Sequence, residues 1–130
     1  MDLIDLMATF VDASSVPYPD TFRDTQIQPP EGVSLLPALA GGRLQRTAPL
    51  CFEHHGNKAI RDGRWKLVCG YRRDQPDRWE LYDMDADRTE SRDLSARHPM
   101  KKQALLDAWQ AWATRVGVQP WPIKRPDRDG

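Results

Sequence analysis

Long apolar runs are missing from this 130-residue chain: nowhere do about 18 apolar residues follow one another, as a membrane-spanning helix requires. An excess of one charge is missing too. The 19 Lys and Arg balance 19 Asp and Glu, which removes the basic surplus that nucleic-acid binding leaves on a sequence. Only two cysteines are present, Cys51 and Cys69; they build no disulfide framework and have no metal-ligand spacing. The start, Met1-Asp2, has neither a basic n-region nor an apolar h-region. No signal peptide is read there, and a cytoplasmic location is the default expectation. Leu, Ile, Val and Phe make up only about a fifth of the residues, the edge of the range where chains stay unfolded, but that state also needs high net charge.

What is there points to one small folded domain with long loops: 5 Trp as bulky core candidates and 11 Pro, most of them outside periodic segments. Residues 2–13 read as a helix. Asp2 is placed to cap it, and Leu3, Met7, Phe10 and Val11 share one face with Leu6 beside them. Ser14 to Pro30 reads as an irregular connection around Pro17, Pro19, Pro29 and Pro30. Ser34 to Leu39 fits one or two helical turns, with Ser34 as cap and Pro37 in the first turn, ending at Gly41-Gly42.

From residue 48 the period changes to two. Leu50 to His54, Asn57 to Arg61, Trp65 to Cys69 and Trp79 to Tyr82 alternate as three or four short antiparallel strands with one buried face. Asp62-Gly63 is expected as a type I′ hairpin turn, which wants positive φ at both centres. Residues 99–116 carry the clearest helix: Leu105, Trp109, Trp112 and Val116 fall on one stripe, Pro99 suits the first turn and Gly117 the left-handed terminator. Trp121-Pro122 is placed to fold back onto the sheet. The expected fold is α+β: a small antiparallel sheet packed by a C-terminal helix, preceded by an N-terminal helical arm. The expected divisions are 1–47 for the arm and its Pro-rich connection, 48–122 for the sheet and helix, and 123–130 for a disordered tail. The expected core is Phe52, Trp65, Leu67, Trp79, Leu81, Trp109 and Trp112.

Candidate chemistry is sparse. Asp83, Asp85 and Asp87 alternate as in a calcium loop, but Arg88 stands where the sharp turn needs Gly and Leu94 where a bidentate Glu is required, so a solvated turn is read there. Arg72-Arg73 near Tyr71, Trp65 and Trp79 could stack on nucleic acid, yet Asp74, Asp77, Glu80 and Asp83 cancel the field, leaving a mixed-charge loop. Glu53-His54-His55 sits at a strand end before a glycine. Alternation puts His54 on the opposite face from Glu53 and His55, so the three do not converge on one ion without a bulge. Structural histidines are the first reading and a pocket-lining role the second. No serine has a nucleophile-elbow context, the two cysteines read as inert strand residues, and no glycine loop cradles a phosphate.

The run Phe52-Glu53-His54-His55-Gly56-Asn57-Lys58-Ala59-Ile60-Arg61-Asp62-Gly63-Arg64-Trp65-Lys66-Leu67-Val68 resembles the C-terminal region of type I sulfatases, the arylsulfatase family. Trp79-Glu80-Leu81-Tyr82-Asp83, then Asp87, Glu90, Asp93-Leu94 and Pro99, is similar to the next block of that family. Asp5 to Thr9 and Gly32 to Pro37 are similar to the segments that leave its catalytic core. The resemblance covers residues 2 to about 122 in order. It implies a four-stranded antiparallel sheet packed by a terminal helix, and sulfate ester hydrolysis as the activity of the whole enzyme. It also implies a formylglycine made from Cys or Ser in a Cys/Ser-x-Pro-x-Arg motif, and a calcium ion that offsets the charge of the sulfuryl group. Neither Cys69, followed by Tyr71 and Arg73, nor Cys51, followed by His55, stands in that motif. No cofactor is therefore expected in this chain; formylglycine and calcium are expected in a separate catalytic domain. The one site residue carried over is His54, at a position that in relatives points towards the substrate pocket.

The leading expectation is a sulfatase C-terminal subdomain that supports the fold, borders the cleft and does not catalyse alone. The alternatives are a free-standing binding module derived from that subdomain, and a small metal protein built on Glu53, His54 and His55. The expected partner is a sulfatase catalytic domain, or a second copy meeting residues 3–11, with no nucleic acid and no membrane.

Overall fold

Helix α1, Ile4–Ser14, buries two polar residues, Asp5 and Thr9, and exposes most of its large apolar ones. This emerges in a computed structural model, which describes residues 2–123 and divides the chain between Thr47 and Ala48 into two compact units. In the first unit Asp5 and Thr9 are the buried residues of α1, while Leu3 is 80% and Phe10 64% exposed, with Leu6 and Met7 exposed as well. The expected cap at Asp2 is corrected. Leu3 holds the cap position without a side-chain bond, and the Asp5 carboxylate reaches back to accept the Asp2 N–H at 2.7 Å. A carboxylate inside the first turn satisfies a free donor and sits at the positive end of the helix.

Burial of polar side chains demands partners, and the segment 32–35 supplies them. Thr9 Oγ1 donates to the Asp5 carbonyl at 2.6 Å and accepts the Leu35 N–H at 2.9 Å. Gly32 is required by this close approach: a Cβ there would lie 2.1 Å from the Ile4 carbonyl oxygen. The connection expected to be irregular contains a hairpin, β1 (Thr21–Phe22) with β2 (Thr25–Gln26), turning on Arg23 and Asp24 at φ 48° and 61°. Helix α2 spans Leu36–Leu39, with Pro37 in its first turn and the Ser34 hydroxyl accepting the Leu36 N–H.

The second unit is an antiparallel meander of four strands in the order β3 (Leu50–His54), β4 (Asn57–Asp62), β5 (Trp65–Cys69) and β6 (Trp79–Asp83), packed by α3, Pro99–Val116. The α+β class holds. Cross-strand register places Cys51, Ile60, Leu67 and Leu81 in one row and Glu53, Lys58, Cys69 and Trp79 in the next row of that face. Ile60, Leu67, Leu81, Cys69 and Trp79 are buried against Leu105 and Trp109 of α3. Phe52 belongs to the opposite face and is 42% exposed, so its expected place in the core is corrected; Trp65 and Trp112 pack at the margin. Gly117 ends α3 with φ 73°.

The hairpin at Asp62-Gly63 is also corrected. Asp62 pairs with Trp65, so the two-residue loop is Gly63-Arg64, and only Gly63 has positive φ. Positive φ at the first centre alone is the pattern of a type II′ turn. The free edge of β6 is covered: the Leu81 N–H donates to Asp93 Oδ1 at 3.1 Å and the Leu81 carbonyl accepts from Leu94 at 2.8 Å. Asp87 accepts from the amides of Ser91 and Arg92 and the hydroxyls of Thr89 and Ser91, so it closes a loop rather than binding an ion. The expected tail at 124–130 lies outside the described residues.

Candidate functional site

The type I′ turn of the second unit falls between β3 and β4. His54 pairs with Asn57 across His55 and Gly56, whose φ values are 50° and 82°. A histidine at positive φ is strained, and local bonds hold it. Glu53 Oε1 accepts the Gly56 N–H at 2.8 Å, and Asn57 Nδ2 donates to the His54 carbonyl at 3.0 Å. Asn57 Oδ1 accepts the Tyr71 N–H at 3.0 Å, tying the 70–77 loop to the turn. Gly56 is needed for a second reason: a Cβ there would stand 2.8 Å from Tyr71 Cδ2 and 3.0 Å from Trp121 Cδ1.

This turn changes the disposition of the histidines. Strand alternation separates His54 from His55, but His55 lies in the turn and its ring stacks on His54 at 4.1 Å and 28°. Trp121 folds back and also stacks with His55, at 4.6 Å and 26°. Glu53 is occupied by the Gly56 amide instead. Among the described residues, no group of three or more His, Cys, Asp and Glu side chains is arranged to hold a metal ion. The residues present do not fit a calcium site.

His54 is exposed and borders two recesses. One, of about 370 Å³, is shared with Val118, Trp121 and Ile123; the other, of about 420 Å³, with Phe52, Ala59 and Val68. A larger groove of about 790 Å³ lies beside them, lined by the turn, the 70–77 loop, the C-terminal half of α3 and Trp121. Within it the Lys58 ammonium pairs with Asp77 and lies 5.7 Å from the centroid of the Trp109 ring. Trp109 Nε1 donates to the Phe52 carbonyl at 3.1 Å, which fixes that ring. Sequence reasoning placed Tyr71 and Arg72 on a plain surface loop and Trp109 in the core; only the fold-back of Trp121 hinted that they share a groove.

Neither Cys69 nor Tyr82 is poised as a nucleophile. Burial, reinforced by the Asp77 charge, pushes the Cys69 thiol up, away from the reactive thiolate. Cys69 lies within β5 and Cys51 within β3, both half-buried or deeper. Tyr82 is pushed up to about 12 by burial and its bond to Glu80, so it stays a neutral hydrogen-bond donor. Neither cysteine is followed by the Pro and Arg of a Cys-x-Pro-x-Arg formylglycine motif.

Comparison with known proteins is informative at this point. An uncharacterised sulfatase of Schizosaccharomyces pombe is 26% identical over 123 residues, which cover 92% of this chain. The chain resembles the C-terminal region of a sulfatase. It spans only 22% of that fission-yeast sulfatase. No family model matches. Among solved structures, the Bacteroides thetaiotaomicron protein BT33336S-sulf, from a locus for glycosaminoglycan metabolism, superposes with a TM-score of 0.64 and 22% identity. That match covers 85% of this chain and 24% of the other. BT4656, solved with its substrate D-glucosamine-2-N,6-O-disulfate, gives 0.62 and 24% identity over 92% of this chain and 25% of its own. Ps i-CgsB, solved with k-i-k-neocarrahexaose, gives 0.61 and 20% over 84% and 23%. The sulfatase-like chain thus shares the fold of about a quarter of each solved relative.

Proposed function

We propose that this chain acts as the C-terminal subdomain of a sulfatase, supporting its fold and bordering the cleft for a sulfate ester through His54, without hydrolysing the ester by itself. The observation that carries the reading is the inverted helix α1: Asp5 and Thr9 turn inward while Leu3, Leu6, Met7 and Phe10 face out. Burying such side chains is worth about 1.5–3 kcal/mol each, and an exposed apolar patch marks a contact surface. The sulfatase catalytic domain is the partner that surface fits, since the fission-yeast relative carries far more chain than the part matched here. Formylglycine and calcium belong to that domain. A second copy of this chain is the competing occupant.

Reconstitution tests the proposal. The purified chain is mixed with the remaining, catalytic part of the fission-yeast sulfatase, in calcium, with a chromogenic aryl sulfate. The chain alone is expected to give no turnover and the mixture to give turnover, with exchange at the amides of residues 3–11 slowed in the mixture. A His54→Ala chain is expected to raise KM in the mixture. Turnover by the chain alone that disappears in Cys69→Ala, or protection of residues 3–11 that rises only with the chain's own concentration, overturns it.

A further inference from the structure

We propose that the groove beside the β3–β4 turn is a binding site for an uncharged saccharide chain, distinct in chemistry from any pocket for a sulfate group. Its volume of about 790 Å³ lies in the range of small-ligand sites, about 300–1,000 Å³. Three aromatic side chains line it, Tyr71, Trp109 and Trp121; Trp109 is buried, whereas Tyr71 and Trp121 are each 37% exposed. Tyr71 and Trp121 are seated against Gly56, and Trp121 has one ring face fixed on His55. Seated rings lose little freedom on binding, and their apolar surface suits the C–H faces of pyranose rings.

The electrostatics of the lining select against a charged ligand. Glu53, Asp74 and Asp77 face Lys58 and Arg72. Asp77 is neutralised by Lys58, and Glu53 accepts the Gly56 amide. That leaves Asp74 and Arg72, one of each sign, whose side chains make no hydrogen bond or ion pair among the described residues. Among the described residues that line the groove, the charges offer a polyanion no net positive field. Hydroxyl groups, by contrast, find both kinds of partner: the Asp74 carboxylate accepts, the Arg72 guanidinium donates, and the amides of Gln75 and Gln110 do both. Convergent planar polar groups around an apolar platform recognise a hydroxyl-rich ring, and they leave no charge buried without a partner. The groove needs only the second unit for this, so saccharide binding by this chain stands or falls separately from its role in a sulfatase.

The test titrates the full chain, followed by amide and indole NMR, with cellohexaose, isomaltohexaose and chitohexaose, each alongside a persulfated form. At least one neutral hexasaccharide is expected to bind saturably at millimolar or lower concentration, shifting Gly56, Gln110 and the Trp121 indole, and its persulfated form to bind more weakly. Trp121→Ala and the solvent-exposed Gln110→Ala are each expected to weaken binding at least about tenfold, equivalent to about 1.4 kcal/mol, with unchanged spectra elsewhere in the sheet. No groove shift with any neutral hexasaccharide overturns the proposal. So does tighter binding of the persulfated forms, or full affinity in a folded Gln110→Ala variant.

Discussion

The carboxylate of Asp5, completely buried, accepts a hydrogen bond from Arg46 Nη2 at 2.5 Å across a separation of 41 residues. Its remaining lone pairs take the amides of Val33 and Asp2. One polar side chain thereby ties helix α1, the 32–35 segment and the end of the first unit together.

Acid should undo that unit. Burial pushes the Asp5 carboxyl up, but the bonds from Arg46, Val33 and Asp2 and the Arg46 charge outweigh it, holding the folded value below the ordinary 3.8. A depressed carboxyl contributes stability that is complete above the unfolded value and is lost as pH falls through the folded one. Exchange protection at the Val33 and Leu35 amides is expected to fade in that acidic window. Asp5→Asn should cost about 1–3 kcal/mol at neutral pH and remove this part of the pH dependence.

Two aromatic truncations should separate the faces of the sheet. Trp109→Ala removes a ring packed on Trp79 at 5.5 Å and is expected to cost about 3–5 kcal/mol, unfolding the second unit or lowering its melting point sharply. Phe52→Ala, on the open face, is expected to cost less than half as much. Equal losses in thermal melts would place Phe52 in a core that the structure does not give it.

Asp93 protects the edge strand β6. Burial raises its carboxyl, yet the amides of Ser95 and Leu81, together with the Ser95 hydroxyl and the Arg78 charge, hold it below its ordinary value. Asp93→Ala is expected to cost about 1.5–3 kcal/mol and to speed hydrogen exchange at the Leu81 amide in particular. Unchanged exchange there would show that Leu94 alone covers the edge.

Glycines 56 and 63 offer a matched pair. Both have positive φ, 82° and 57°, so alanine at either pays a backbone cost of about 1–2 kcal/mol. Open space surrounds Gly63, whereas alanine at 56 meets Tyr71 and Trp121. Gly56→Ala should therefore be the less stable variant and should alone shift the Trp121 indole resonance.

Legibility in the sequence followed the strength of local signals. Strands β3 to β6 stood out because their alternation is regular even where the turn between them was misplaced by one residue, and α3 because Pro99 and Gly117 bracket its stripe. Hairpin β1–β2 was invisible: its strands hold two residues each, and its turn uses Arg23 and Asp24 where Gly or Asn would have signalled it. The buried side of α1 was not legible, because its apolar stripe draws the eye to Leu3, Met7, Phe10 and Val11, whereas hydrogen bonding of Asp5 and Thr9 to residues 33–35 decides which side turns inward. The groove was hidden for another reason. Tyr71, Trp109 and Trp121 are far apart along the chain, and only the fold-back onto the His55 turn unites them.

Because each strand of the second unit pairs only with its predecessor and successor, its strand pairings are short-range along the chain, whereas the packing of α3 on the sheet is long-range. Loop closure then involves two to nine residues or so at each step, a small entropy in polymer terms. Strand pairing thus costs little, while burial of the core waits on Leu105 and Trp109, well downstream of the sheet.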